Sequence, residues 1–225
     1  MIMRHFHEEL ELLKSRLVAM SGIAEEQVRS AVEALLERNE EKARAVIDKD
    51  EMVDELELAI DDLAINLLAL QQPMARDLRF ITAAMKIGND LERVGDHAVN
   101  IAEELEWLLK TAPFPVLPEL EEMARLANAM LSDALNAFIM ADSKLAREVV
   151  DRDDRVDDLH ENNFRILLTH MMEDPRKITA GMDLFLVSGN IERIADLATN
   201  IAEEVVFFVE GSTIKHHAET RGREA

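Results

Sequence analysis

The 225 residues include 48% apolar residues but only 7 glycines, 5 prolines and no tyrosine. That is enough chain for a substantial core, with the profile of a helical protein and not of a β-sandwich. The 46 acidic residues outweigh 25 basic ones for a formal charge of −21, which opposes nucleic acid and anionic membrane surfaces and favours cations or basic protein patches. Absence of cysteine excludes disulfides and thiolate metal sites and fits a reducing compartment. No apolar leader opens the chain and no segment is long enough to span a bilayer, so the expectation is a soluble, cytoplasmic protein without direct membrane insertion.

In chain order, apolar residues recurring every 3.5 to 3.6 residues predict six long helices. The first follows Leu10, Leu13, Leu17, Met20, Ala24, Val28, Ala31 and Leu35 and ends near Asn39, a suitable N-cap for the next. The second carries Val53, Leu56, Ile60, Leu63, Leu67 and Leu70 and stops at Pro73; the third carries Leu91, Val94, Ala98, Ile101, Leu105 and Leu108. Residues 111–118, TAPFPVLP, cannot continue a helix. Beyond them the plan returns, with Leu120, Met123, Ala127, Met130 and Ala134, then Val156, Leu159, Ile166 and Leu167, then Ile191, Ile194, Ala198, Ile201, Val205 and Phe208, closed by Gly211.

The chain is internally duplicated. Residues 90–104, DLERVGDHAVNIAEE, and 190–204, NIERIADLATNIAEE, share nine of fifteen positions. Upstream, residues 46–56, VIDKDEMVDEL, answer residues 149–159, VVDRDDRVDDL. The expected architecture is all-α: two tandem antiparallel three-helix bundles related by a pseudo-twofold axis. Their expected limits are residues 1–111 and 119–211, joined by a Pro-rich linker at 112–118 and followed by a flexible polar tail at 212–225.

Each copy carries two pairs of carboxylates four residues apart, a spacing that puts both on one helix face. They are Asp50 with Asp54 and Glu92 with Asp96, then Asp153 with Asp157 and Glu192 with Asp196. A hairpin folded about Pro73 sets Asp50 level with Asp96 and Asp54 level with Glu92. A second hairpin, folded between Asp174 and Pro175, does the same for Asp153 with Asp196 and Asp157 with Glu192. Asn100 and Asn200 follow one turn further along. The acids lie beside the core seam, hence on the outer flank of each hairpin. One such pair on an acidic helix is ordinarily a solvated face. Four pairs in two matching hairpins raise one another's pKa values unless a cation compensates, and oxygen donors suit Mg, Ca, Mn or Fe. Arg93 and Arg193 offer a competing compensation by salt bridges. His97, answered by Leu197, reads as a surface or partly packed residue, and His5, His7, His216 and His217 lie near the termini. The methionines fall mostly at core spacing, as packing and not as a cofactor box.

These motifs resemble the PhoU phosphate-signalling family. The resemblance extends to QQPMARDLR at 71–79, DPRKI at 174–178 and EGSTIKHH at 210–217, and covers nearly the whole chain. It implies a non-enzymatic, cytoplasmic negative regulator of phosphate uptake and of the phosphate-starvation response. Such a regulator links the ATPase subunit of an ABC-type phosphate transporter to a phosphate-responsive sensor histidine kinase. The resemblance also implies a homodimer, and surface clusters of divalent metal, iron foremost, with Mn, Mg, Ca or Zn as alternatives. All eight motif carboxylates are intact. The competing reading is a metal-free helical adaptor or scaffold. A catalytic di-iron bundle is disfavoured because its Glu-x-x-His pairs face a bundle core, and no Gly-rich phosphate loop or activated nucleophile is present.

Overall fold

Helix α1 (Ile2–Glu37) ends at Arg38, whose φ of 54° turns the chain into the left-handed region. The carboxamide of Asn39 then accepts the backbone N–H groups of Glu41 and Lys42 at 3.0 and 3.1 Å and starts α2 (Glu40–Asp48). The second copy repeats this device: Ala141, φ 52°, closes α5 (Pro118–Met140), and Asp142 caps α6 (Ser143–Val150) through Lys144 and Leu145. A computed structural model describes residues 2–111, 114 and 117–214.

The chain continues through α3 (Asp50–Gln71) and α4 (Ala75–Leu108) in the first copy. In the second it continues through α7 (Asp153–Glu173), a 3-10 turn (Pro175–Lys177) and α8 (Ile178–Glu210). The regular structure among the described residues is all helical, as the periodicity predicts. Each copy has its three long helices plus one short helix, α2 or α6, that the periodicity does not separate from its successor. Pro118, expected in the linker, is instead the first residue of α5, where its missing N–H costs no hydrogen bond. The rest of the expected linker lies partly, and the tail from Lys215 wholly, outside the described residues.

The predicted seams are buried at Leu13, Leu17, Met20, Ile60, Leu67, Leu91 and Ile101, with 0–1% exposure. Each such side chain contributes on the order of 1.5–3 kcal/mol, and truncation to alanine removes about 2–5 kcal/mol. Leu70, expected on the second seam, is instead 75% exposed, because it lies in the last turn of α3, where the chain leaves the bundle. Helices α4 and α8 form the central antiparallel pair, flanked by α1 and α3 on one side and by α5 and α7 on the other. Between the copies, Lys86 donates to both carboxylate oxygens of Glu204 at 3.1 Å, the His97 ring meets Asn190 at 2.9 Å, and Arg79 donates to the Phe208 carbonyl at 3.3 Å. His97 is thus a bridge between the copies.

The cores differ at one level. In the first copy Ile60 lies over Gly88, 3.5 Å from where a Cβ would stand. In the second, Asn163 and Ser188 occupy these positions, with Asn163 Nδ2 and Ser188 Oγ both directed at the Met123 sulfur and the His160 ring against Ser188 at 2.9 Å. The hairpins also differ outside. Phe164, Leu168 and Met172 on α7 and Ile178, Met182 and Leu186 on α8 form two facing rows, 41–78% exposed. In the first copy the rows are broken by Asp61, Thr82 and Lys86.

Candidate functional site

A break in the helix sets the first acid of each cluster. Lys49 ends α2 with φ −85° and ψ −10°, and α3 restarts at Asp50; Asp151 and Arg152 play that part before Asp153 in α7. Acidic residues suit these first turns, where unpaired backbone N–H groups carry partial positive charge.

In the first copy the hairpin lays one face of α3 against one face of α4. Asn89 donates to Glu57 at 3.5 Å, one turn from Glu92. Asp50 and Glu92 are half-buried, Asp54 and Asp96 exposed. Burial, then repulsion from Asp54 and Asp96, pushes the Asp50 carboxyl up. Glu92 is pushed up to about 7, first by burial and then by Asp96, Glu57, Asp54 and Asp50. The four expected acids therefore act on one another, and Glu57 joins them. Among the described residues no three carboxylate or imidazole groups already stand in a chelating arrangement; the acids share a surface and a field, and a cation would have to draw them inward.

The second copy gathers its acids likewise but carries its own compensation. Asp153 is pushed up to about 6 by burial, then by Asp196 and Asp157, partly offset by the Thr199 hydroxyl. Asp157 is raised by burial and Asp196, with His160 opposing. Glu192 is raised by burial and Asp196, with Arg193 opposing. Arg193 spans Asp196 at 3.0 Å and Glu192 at 3.5 Å, whereas Arg93 turns to Asp90 at 3.9 Å.

Of the other sequence candidates, Asn100 is exposed, and Asn200 lines an open groove shared with Glu57, Asp61 and Lys86. Asn200 thus sits towards the first copy's acidic face. His5 pairs with Glu9 at 3.4 Å; His216 and His217 lie outside the described residues. Sequence reasoning missed Glu57, although it lies one turn past Asp54 on the same face. It also missed Gln27, a polar residue 1% exposed on the apolar seam of α1.

The PhoU domain family matches residues 17–105 and 120–205, spans that hold all eight motif carboxylates. The chain belongs to the PhoU family. Within that family it is 40% identical to the phosphate-specific transport system accessory protein PhoU homolog of Zymomonas mobilis, over 97% of this chain and 92% of that protein. The crystal structure of PhoU from Pseudomonas aeruginosa superposes with a TM-score of 0.89 at 37% identity, covering 92% of this chain and all of the other. That of the phosphate transport system regulatory protein PhoU from Streptococcus pneumoniae gives 0.85 at 29% identity, over 93% and 99%. The two-copy helical fold is that of solved PhoU proteins, and no helix among the described residues is long and apolar enough to cross a membrane.

Proposed function

We propose that this PhoU-family chain is a cytoplasmic, metal-binding adaptor of phosphate transport that restrains phosphate uptake and the phosphate-starvation response. Relatives named as accessory proteins of the phosphate-specific transport system support the pathway, and a helical surface without a phosphate loop or activated nucleophile suits binding over catalysis. Its partners in this reading are the ATPase subunit of the phosphate ABC transporter and a phosphate-responsive sensor histidine kinase.

The observation that carries the metal reading is the gathering of four carboxylates on each hairpin; burial first and mutual repulsion second push Glu92 up to about 7. Asp50, Asp54, Glu92 and Asp96 would hold one divalent ion or cluster, and Asp153, Asp157, Glu192 and Asp196 another. Oxygen donors fit iron, Mn, Mg or Ca, and Zn less well in the absence of nitrogen or sulfur ligands. The ion supplies positive charge that removes the repulsion; the carboxylates supply its position on the hairpin flank.

Homodimerisation is supported by the two apolar rows on the α7–α8 hairpin. Exposed apolar patches beyond a few hundred Å² mark interaction surfaces. Arg165, beside these rows, pairs within its own helix with Glu161, so that both of these charges are already compensated at the edge of the contact. Only the second hairpin carries both rows, so two copies would pair by a closed twofold contact and not as a filament.

Deleting the gene should leave phosphate-starvation genes active in high phosphate; normal repression in a clean deletion counts against the regulatory reading. The metal reading is tested on untagged protein by elemental analysis and melting with and without chelator. At a hundredfold excess over Kd, a cation bound only by the folded state adds about 2.7 kcal/mol. A melting curve indifferent to chelator and to added Mn, Fe or Mg at low salt leaves the metal-free adaptor as the better account.

A further inference from the structure

The first-copy site has an oxygen that no motif carboxylate accounts for. Gln27, on α1, is 1% exposed, and its Oε1 has no hydrogen-bond partner. The rest of the side chain is engaged: Nε2 donates to the Val46 carbonyl at 3.4 Å, and a side-chain hydrogen bond from Gln27 opposes the upward push on Asp50. The orphan oxygen lies at Gly95, between Glu92 and Asp96 on α4's neighbouring turn. The point where a Gly95 Cβ would stand is 3.2 Å from Gln27 Oε1 and 3.3 Å from Asp50 Oδ1. Glycine here lets two oxygens close on the α4 backbone at the inner end of the acid cluster.

A buried acceptor oxygen left without a donor beside a carboxylate cluster is costly unless something positive approaches it. A carboxamide oxygen is a common ligand for hard cations, and it adds no charge to a site already crowded with anions. The second copy lacks this arrangement. The shared caps Asn39 and Asp142 place Met130 where Gln27 stands, and the matching motifs at 90–104 and 190–204 place Ala195 where Gly95 does.

We propose that Gln27 supplies an oxygen donor to a divalent cation at the first-copy carboxylates, so that this site spans three helices and is tighter than its second-copy counterpart. The inference rests on the metal reading above and adds to it a residue, a helix and a ranking of the two sites. Binding at the first copy then ties α1 to the α3–α4 hairpin, whereas the second site closes on its hairpin alone.

The test uses the full chain and Mn²⁺ as probe. With Asp157→Asn and Glu192→Gln disabling the second site, calorimetric titration reads the first alone. Gln27→Met, which copies the second repeat, is expected to weaken that site at least tenfold, the usual scale for a lost supporting ligand, and Gln27→Glu to restore binding. Affinity within twofold of the parent after Gln27→Met overturns the proposal. In the reciprocal experiment the first site is disabled by Asp54→Asn and Glu92→Gln. Met130→Gln with Ala195→Gly should then tighten the second site about tenfold; no gain there counts against the proposal and does not depend on Gln27→Met folding. Unaltered protein that binds no Mn²⁺ at either site overturns the metal reading itself. Two wild-type sites that bind while both exchanges are silent overturn only the role of Gln27.

Discussion

The Arg193 guanidinium lies 3.0 Å from the Asp196 carboxylate. The equivalent arginine of the first copy, Arg93, faces Asp90 instead, so among the described residues Arg93 does not compensate the first acid cluster while Arg193 compensates the second. A bound metal must displace or tolerate that cation. Arg193→Gln should therefore tighten Mn²⁺ binding at the second site severalfold while leaving the first unchanged. In the absence of metal it should cost no more than about 1 kcal/mol, because the pair is exposed. Calorimetry on the two single-site proteins reads both effects, and an unchanged second-site affinity would show that Arg193 does not compete.

Glu92 sets a pH window. Folded, it keeps its proton to about pH 7, against 4.5 for an ordinary glutamate. Between those values the native state binds more protons than the unfolded chain, so stability falls as pH rises through the window and levels off above it. Asp153, raised from 3.8 to about 6, adds a fall of the same sign at lower pH. The metal-free protein at low ionic strength should thus melt lower at pH 8 than at pH 6. Glu92→Gln should flatten that difference, and saturating divalent cation should reverse it by favouring the ionised acids. A metal-free melting temperature that rises from pH 6 to pH 8 contradicts this assignment.

The hairpins were legible because proline and 3.6-residue periodicity mark their turns and seams, and from them the level of each carboxylate follows. The short helices α2 and α6 were not. Lys49 and Arg152 break the chain in ordinary right-handed geometry, with no glycine or proline to signal it. Gln27 was hidden because a lone polar residue on an apolar stripe looks like a boundary of the seam. Arg93 and Arg193 sit in matching motifs yet face different acids; that choice depends on Asp90 being aspartate where the second copy has Asn190, a substitution outside the acid pairs.

The second core is improvable. Asn163 is fully buried, its Oδ1 has no partner, and its amide faces only the Met123 sulfur at 3.5 Å and Ser188 at 3.4 Å. An unsatisfied buried acceptor costs about 1–3 kcal/mol, and the first copy fills this position with Ile60. Ser188 keeps its contact with His160 when Asn163 is replaced. Asn163→Leu should stabilise the chain by about 1 kcal/mol, raising the melting temperature by roughly 2–4 °C. A lower melting temperature would mean that the amide is better satisfied in solution, for instance by a buried water.

The apolar rows of the α7–α8 hairpin yield the last expectation. Six large side chains, Phe164, Leu168 and Met172 facing Ile178, Met182 and Leu186, remain exposed in the single chain. With a polar rim they match in kind the apolar centre of a standard interface, which buries roughly 800 Å² per partner. Because Leu168 and Met182 are 41% and 46% exposed, glutamate at either position leaves the protomer core intact but buries an unpaired charge in a twofold contact. Leu168→Glu with Met182→Glu should convert a dimer to a monomer in sedimentation equilibrium without lowering the helical signal. The matched control is Leu58→Glu with Ile65→Glu on the first hairpin, exposed by 66% and 53% but set among rows broken by Asp61, Thr82 and Lys86; it should leave the dimer in place. A wild-type chain that stays monomeric at tens of micromolar, or a dimer that survives the α7–α8 charges and dissociates with the control, would move the contact away from this hairpin.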